Sequence, residues 1–582
     1  MTKNLTITAL RIMLPLAFMA SAVTAFSQNY LFKDGRSDYS IIVGADAAES
    51  ERTAAAEFQS YVKQMGGVVL PIAEQPKTRG RSVYIGYHDA LAQLARVSRP
   101  DDDDESFTYR TIDGDLFIFG GRQRGTMYGV YAFLEQQMSM RWYTGSFTKI
   151  PRMEQFVLDE MNHTECPAIS YRIDFCYHAL RDEVWRAHNL LNTNHVLSSG
   201  KYGKTAACWG IHTFEKLVPP STYFADHPEY FGVYKGRRSA KTQLCLSNKE
   251  VWRVLTDNLK EVIGRNPGYW CYDVSQNDNR FPCECEACAE LARRYGGQSG
   301  ALLWFVNKVA AEVKKTFPDV LISTLAYQYT RQAPASTIRP ADNVVIRLCD
   351  IECCQAHPLD ACEQNRAFVG DMDNWKRITN KIYVWDYATG FRHYLLPFPN
   401  FDVMARNYQY FCRSNVVGVL EEGAHNAPWS EFSELKQWII AKLLWNPWQS
   451  TDSLAAMFIS DYYGKAAPYV QRYYDLCRRQ VTRDKHFSVS MEWNTDLYGR
   501  RFLSDAEKLM KKALAASRDA ATQQRINRLA AQVYYMKLRR NAPWSLTDGT
   551  SRKLLDVIHR DSTVVREVDG DIDKLVHDLS YY

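Results

Sequence analysis

The chain has 582 residues, of which 46% are hydrophobic and 24% are charged, so it is long enough for about three domains with large cores. Its 71 Lys and Arg residues nearly balance its 66 Asp and Glu residues, which gives a formal net charge of +5 without a basic block. This balance excludes the usual signature of a nucleic-acid-binding protein, and the expected partner is an uncharged or mixed molecule.

The first segment, residues 1–27, has the pattern of a secretory signal peptide. Lys3 and Arg11 accompany the apolar run 12–26, and small residues stand at Ala25 and Ser27. No later segment reaches the roughly 18 apolar residues that a membrane-spanning helix requires. We therefore expect export to a periplasm or to the medium, with no membrane span. The pattern leaves the oligomeric state open.

Residues 28–155 predict a small α/β domain. The strand-like runs SIIVG, SVYIGY and LFIFGG alternate with helical stretches at 51–65 and 125–137. The acidic run 101–104 falls between a strand signal and a helix signal, which favours a solvated loop over a metal site.

Residues 156–447 repeat a pattern of strand, polar loop and helix, which predicts a (β/α)8 TIM-like barrel. Helical stretches separate many of the candidate strands, and residues 448–582 then predict a helical C-terminal domain. The eight candidate strands are 171–178, 195–199, 243–248, 269–278, 320–329, 344–353, 381–389 and 416–425.

The aromatic content is high, with 14 Trp, 35 Tyr and 26 Phe, and many of these rings stand beside Asp, Glu, Asn and His in predicted loops. Sugar faces stack on aromatic rings and sugar hydroxyls bond to carboxylates and amides, although many of these rings must simply fill the core. No phosphate loop, dinucleotide fingerprint, HExxH or GxSxG motif occurs. The pattern favours a hydrolase that acts on sugars.

Two strand ends carry the strongest candidates for catalysis, because catalytic groups of such barrels lie at the carboxyl ends of the strands. The fourth candidate strand ends in Asn277 and Asp278, and the eighth ends in Glu421 and Glu422. Asp278 or Glu421 could act as the acid of glycoside hydrolysis, and Asn277 could orient a 2-acetamido group whose oxygen serves as the nucleophile. A turn that bonds to its own backbone is the alternative for Asn277. Since strand side chains alternate, only one of the two glutamates should face the cleft, and we favour Glu421.

Further polar and aromatic residues are candidates for binding substrate. Each lies at a strand end or in a nearby loop, although Trp385 and Trp429 are equally compatible with the core. The candidates are Tyr327, Asp350, Trp385, Asp386, His212, Glu422 and Trp429.

Three cysteines, Cys283, Cys285 and Cys288, follow the fourth candidate strand. This spacing could bind zinc, but no fourth ligand is evident, and a disulfide is the alternative in an exported chain. Neither interpretation makes the cysteines catalytic, and the proposed chemistry needs no metal or other cofactor.

Several motifs resemble those of a known family. The stretch at 120–144 looks like the end of the small α/β domain that precedes the barrel in hexosaminidase-type and α-glucuronidase-type glycosidases. Motifs similar to the domain-of-unknown-function 4838 family are HPEYFGVYKGRR (227–238), QLCLSN (243–248), SQNDNRFPCECEAC (275–288), GVLEEG (418–423) and AKLLWNP (441–447).

Part of that family is similar to glycoside hydrolase family 163, whose members are endo-β-N-acetylglucosaminidases. The resemblance implies a retaining enzyme that releases complex N-glycans from a glycoprotein by substrate-assisted catalysis. Asn277 and Asp278 are similar in kind to the paired residues of related enzymes, but several of those use Glu as the acid, so Glu421 stays a rival. The alternatives are an exo-hexosaminidase, an α-glucuronidase-like enzyme, or a glycan-binding protein without turnover.

Overall fold

The structure is a computed structural model that describes residues 29–192, 197–204 and 208–580. The expected signal peptide at 1–27 lies outside the described residues. Three parts follow one another along the chain: a small α/β domain, a domain with a parallel sheet, and a helical domain.

The N-terminal α/β domain is built on a six-stranded mixed sheet. Helices Glu49–Gly66 and Gly125–Gln136 lie near the predicted stretches, and Asp89–Ala95 is a third, short helix. In spatial order the strands are Asn162–Glu165, Phe107–Ile112, Asp115–Gly120, Arg81–Ile85, Tyr39–Ile42 and Ile72–Ala73. The edge strand Asn162–Glu165 carries this domain past residue 155. Shorter strands are Tyr30–Lys33, Arg141–Thr144, Phe147–Lys149 and Gln155–Val157.

The central domain contains a seven-stranded parallel sheet. Its strands are β1 (Tyr171–Phe175), β2 (Cys208–Trp209), β3 (Cys271–Asp273), β4 (Leu321–Ala326), β5 (Val344–Cys349), β6 (Ile382–Tyr387) and β7 (Val416–Glu422). The spatial order is β1-β7-β6-β5-β4-β3-β2, so β1 and β2 form the two edges. Strands β5 and β6 are buried throughout, as expected for parallel strands covered on both faces.

One predicted strand is absent from the structure, one short strand was not predicted, and a third segment cannot be compared in full. Residues 243–248 form a loop with one isolated bridge between Leu244 and Phe231, because the side chains of Gln243 and Cys245 bond to neighbouring loops. The short strand β2 was not predicted, since two residues carry no period. The predicted strand 195–199 falls partly on residues outside the described ranges.

Helices cover the sheet and fill the C-terminal domain. The longer ones in the central domain are Lys249–Arg265, Glu286–Tyr295, Gln298–Lys314, Arg366–Lys376, Phe401–Arg413 and Ser433–Trp445. The C-terminal helices are Thr451–Tyr463, Ala467–Arg478, Arg500–Ala516, Ala520–Arg540, Ala542–Thr547, Thr550–Asp561 and Ile572–Ser580. One hydrophobic core joins most of these helices to the outer face of the sheet, and a separate core packs the last three helices against Trp429 and the helix Ala520–Arg540. Within the described residues, no helix has the length and apolar content needed to cross a bilayer.

A buried ion cluster joins the N-terminal domain to the sheet. The Glu105 carboxylate accepts hydrogen bonds from Arg172 of β1 at 2.6 Å and from Asn192 at 2.9 Å, and it also pairs with Arg124. Burial works against ionisation of Glu105, but the two arginines outweigh it and hold its pKa below the ordinary value. The N-terminal domain is thereby fixed against one edge of the sheet.

Candidate active site

A cavity of about 230 Å³ opens at the carboxyl ends of the sheet strands. Because the strands are parallel, residues that end β1, β4, β5, β6 and β7 meet there, and loops from other parts of the chain close the sides. Its walls combine carboxyl groups, two imidazoles and aromatic rings. The lining residues are Phe175, His212, Asp278, Leu325, Tyr327, Cys349, Ile351, Trp385, Tyr387, Phe391, Glu422, His425 and Glu567.

The two glutamates at the end of β7 point to opposite faces of the sheet. Glu422 lines the cavity, whereas Glu421 lies on the outer face, 1% exposed, beneath the covering helices. The two side chains alternate between faces as expected, but Glu422 lies in the cleft, whereas the sequence analysis favoured Glu421 for that position. Sequence alternation cannot choose between the two faces of a strand that is buried on both sides.

Asp350 and Asp386, two candidates for binding substrate, also lie away from the cavity. They join Glu421 and Asp174 in a group of carboxyl groups that are at most 2% exposed. Burial raises the pKa of Asp350, Asp386 and Glu421, and the charge of Asp386 raises the first and last further. Burial alone raises the pKa of Asp174 to about 7. Burial thus disfavours the charged form of each of these acids, and all four lie in the packing between sheet and helices.

Asp278 lies at the mouth of the cavity, where it is exposed. The Tyr327 hydroxyl, just beyond β4, donates a hydrogen bond to Asp278 Oδ1 at 3.0 Å. Burial and the adjacent Asp278 charge raise the pKa of Tyr327, so the phenol stays protonated and can keep donating. The structure thus brings two of the predicted residues into direct contact.

Asn277 does not line this cavity. Its amide oxygen accepts the Glu215 backbone N–H at 2.9 Å, and its amide nitrogen donates to the Thr242 carbonyl at 3.3 Å. The Gln243 side chain also binds the Asn277 backbone, through its N–H at 2.8 Å and its carbonyl at 2.8 Å. Asn277 therefore shapes the loop that presents Asp278, through bonds to the backbone of two distant segments and not through the local turn that the sequence offered as the alternative.

His212 reaches the cavity from a loop after β2, with a positive φ of 52° at its own backbone. Its backbone N–H donates to Ser275 Oγ at 3.1 Å, and its Nδ1 lies 2.8 Å from the Gln276 carbonyl oxygen. In the neutral imidazole a carbonyl partner places the proton on Nδ1 and leaves Nε2 as an acceptor. The side chain is thus oriented for contact with a ligand.

Glu422 is held by two neighbours inside the cavity. Trp385 Nε1 donates to Glu422 Oε2 at 2.9 Å, and His425 Nδ1 forms an ion pair with Oε1 at 3.3 Å. Burial opposes the charged imidazole, but Glu422 outweighs it and raises the pKa of His425 above the ordinary value. Trp385 therefore lines the cavity with its ring and also holds Glu422 through its N–H, whereas the sequence left open whether it lies in the core or in the cleft.

Glu567 enters the cavity from the C-terminal domain, and the sequence gave no signal for it. Its backbone N–H donates to the Phe391 carbonyl at 3.0 Å, and its carbonyl accepts from Asn426 Nδ2 at 2.9 Å. Burial raises the pKa of Glu567, and the charges of Glu422 and Asp278 raise it further. Glu567 therefore lies within electrostatic reach of both other carboxyl groups of the cavity.

Glu422, His425 and Glu567 each offer a ligand atom within 4.8 Å of the others, so their composition would also suit a cation. Both Glu422 oxygens already face Trp385 or His425.

Trp429, a candidate for stacking on substrate, does not line the cavity. It is fully buried among Leu395 and the C-terminal helices, so it is a core residue.

The fold and cavity define a mixed α/β protein with a parallel sheet of the barrel type and a carboxyl-lined site at its strand ends. It is similar in fold to a solved family GH115 4-O-methyl-α-glucuronidase, BtGH115A, described as specific for decorated arabinogalactans. The TM-score is 0.60 with 13% identity, over 91% of this chain and 77% of that chain. CpGH84B matches with a TM-score of 0.49 and 11% identity, over 94% of this chain and 97% of its own.

The chain belongs to the family "Domain of unknown function (DUF4838)", whose model matches residues 142–475. The matched range contains the parallel sheet and every cavity residue except Glu567. The family predicted from the motifs is thereby confirmed. No curated protein matched the chain.

Proposed function

We propose that the protein is an exported glycoside hydrolase whose active site is the cavity at the carboxyl ends of β1 and β4–β7. The observation that carries this proposal is the meeting of Asp278, Glu422 and Glu567 with aromatic walls in one cavity. Glycoside hydrolysis needs one carboxyl group to protonate the leaving oxygen and a second to stabilise the positive charge at the sugar. Aromatic rings supply the faces on which a pyranose stacks.

Asp278 is our candidate for the acid/base. It is exposed at the mouth of the cavity, where it can exchange its proton with water in every turnover, and Tyr327 fixes its position. Glu422 lies deeper, with its carboxyl group fixed by Trp385 and His425. We assign Glu422 to the second role.

We further propose β-N-acetylglucosaminides of complex N-glycans as substrates, cleaved endo and with retention of configuration. In that chemistry the substrate's own acetamido oxygen attacks the anomeric carbon while Asp278 protonates the leaving oxygen, and a second group has to orient the amide. Glu422 can accept the acetamido N–H, a role that Asn277 cannot take because its amide is bonded to backbone. The motif resemblance to glycoside hydrolase family 163 supports this substrate.

A second candidate is an enzyme for acidic sugars of the α-glucuronidase type. A neighbouring cavity of about 410 Å³ shares Phe391 and Glu567 with the proposed active site. Arg392, Arg539 and Arg566 line it, and arginine is the side chain best suited to binding a sugar carboxylate.

Two further expectations go with the proposal. Export rests on the pattern of residues 1–27, and detection of the processed chain in a periplasmic or medium fraction tests it. The expectation of a closed (β/α)8 barrel depends on the order of the seven strands. This order runs from β2 to β7 and then to β1, as it would in a barrel that is open between its first two strands.

One substrate panel tests the function. The full chain is incubated with a complex N-glycoprotein, an aryl β-N-acetylglucosaminide and an aryl α-glucuronide, and released sugars are identified by mass. Release of the N-glycan with one N-acetylglucosamine left on the protein supports the endo activity. Cleavage of the glucuronide alone favours the second candidate, and binding of glycan without any release would refute the hydrolase.

A further inference from the structure

Four cysteines form a compact group behind the loop that carries Asp278. Cys245 comes from the loop 243–248, and Cys283, Cys285 and Cys288 come from the motif that follows β3. All four sulfurs lie within 4.8 Å of one another. The fourth ligand that the sequence could not identify is therefore Cys245, 38 positions before the first cysteine of the motif.

The distances in this group match a metal centre. Cys245 Sγ lies 3.7 Å from Cys285 Sγ and 3.8 Å from Cys288 Sγ. A tetrahedral zinc ion with bonds of about 2.3 Å holds its sulfurs roughly 3.8 Å apart, whereas a disulfide brings two sulfurs to about 2.05 Å. No disulfide joins any of the four in the structure.

The surroundings of the sulfurs suit thiolate ligands. The Val233 backbone N–H donates to Cys283 Sγ at 3.4 Å, and Ser247 Oγ lies 3.2 Å from Cys288 Sγ. Cys283 and Cys288 are each 6% exposed. The Val233 N–H orients one ligand and stabilises its thiolate form, and the Ser247 hydroxyl, which accepts from the Cys288 thiol, can rotate to donate once that cysteine is a thiolate.

We propose that Cys245, Cys283, Cys285 and Cys288 bind a structural zinc ion that positions the Asp278 loop. The site closes around that loop from both sides. Gln243, two residues before Cys245, bonds the Asn277 backbone and the Asn279 side chain. Zinc would thus hold Asn277 and Asn279, through Gln243 beside Cys245, and also Cys283 at the other end of the loop that presents Asp278. The zinc ion itself would not contact the reacting sugar.

A second group of independent geometry indicates a second zinc centre. Cys354, His357, Cys362 and His486 also place one ligand atom each within 4.8 Å of the others. Cys354 Sγ lies 3.2 Å from His486 Nδ1 and 3.7 Å from His357 Nδ1, close to the roughly 3.5 Å expected for zinc with sulfur and nitrogen ligands.

The histidines of this second group are oriented for metal binding. His357 Nε2 lies 3.2 Å from the Thr482 carbonyl oxygen, so Nε2 carries the proton and Nδ1 faces the sulfurs, as in a typical metal-bound histidine. This centre would fix the loop after β5 to the C-terminal domain. In the same segment, the Val489 carbonyl accepts the N–H of the cavity residue Phe391 at 2.9 Å.

Metal analysis of the purified full chain tests both sites without reference to any substrate. We expect about two zinc ions per chain, falling to about one in Cys245→Ser and in Cys354→Ser. Cys166→Ser, which alters an exposed cysteine outside both groups, is the matched control and should keep both ions. A wild-type chain that holds no zinc, with these cysteines joined as disulfides, would overturn the proposal.

Cobalt substitution keeps the test decisive if a serine variant fails to fold. The wild-type chain is stripped by a chelator under mild conditions and refilled with Co²⁺, whose thiolate charge-transfer absorption reports the number of bound sulfurs. Two tetrahedral centres with thiolate bands support the proposal. A spectrum without thiolate-to-cobalt absorption, from a chain that stays folded by circular dichroism, would contradict it.

Discussion

Exchange of Glu422 for glutamine, compared with the same exchange at its neighbour Glu421, tests which of the two glutamates acts in the cavity. Glu422→Gln keeps the size of the side chain but removes its charge inside the cavity. A carboxyl group that stabilises charge or transfers a proton contributes about 10²- to 10⁴-fold, or roughly 3–5 kcal/mol of transition-state stabilisation. We therefore expect kcat/KM to fall by at least about 10²-fold.

Glu421→Gln should behave differently, because burial raises the pKa of Glu421 and favours its neutral carboxyl form. A neutral amide of the same shape replaces a neutral acid, so kcat/KM should stay within about threefold of the wild type. The assay is initial-rate release of glycan from a complex N-glycoprotein, with circular dichroism to confirm folding. A large loss in Glu421→Gln together with an active Glu422→Gln would refute the assignment of the two faces of β7.

Three other perturbations test separate parts of the structure. The pKa of Asp174 rises from the ordinary 3.8 to about 7, so its stabilising contribution is present below about pH 4 and is lost as the pH rises through 7. Asp174→Asn should therefore become more stable than the wild type as the pH rises across that window, by at most about 4 kcal/mol. Urea unfolding at pH 4 and pH 8 measures this difference, and an equal difference at both pH values would mean that the pKa of Asp174 is ordinary. Glu105→Gln leaves two buried arginines without a carboxylate and should cost about 3–5 kcal/mol, seen as a lower Tm, whereas an unchanged Tm would contradict the buried cluster. Trp385→Phe removes the N–H bond to Glu422 and should lower kcat/KM about tenfold at unchanged Tm, and full activity would remove Trp385 from the site.

Periodicity and apolar runs were sufficient to predict most of the fold. The long apolar strands β4 to β7 and their helices appear where the pattern placed them, because continuous apolar runs of this length are typical of parallel strands that are buried on both faces. The pattern failed at β2, which has two residues, and at 243–248, whose alternation serves loop contacts instead of a sheet.

The sequence predicted which residues reach the cavity where this depends on the position of the strand ends. It could not predict which face of the sheet a side chain points to, or which residues come from distant parts of the chain. Asp278, Tyr327, Trp385 and His212 reach the cavity because strand ends meet at one edge of the sheet. Asp350, Asp386 and Glu421 also lie near strand ends, but they point toward the helices, and a sequence without polar and apolar alternation cannot show this. Glu567 arrives from another domain, and Cys245 completes the cysteine group from a distant loop.

Loss of glycan release on substitution of Asp278 is the decisive test of the proposal that this cavity hydrolyses a glycosidic bond with Asp278 as the acid/base. The amount of N-glycan released from a complex N-glycoprotein by the wild type and by Asp278→Asn is the measurement, with circular dichroism to confirm that the variant is folded. We expect release by the wild type and a loss of at least about 10²-fold in Asp278→Asn. Undiminished release by Asp278→Asn would show that Asp278 is not the acid/base.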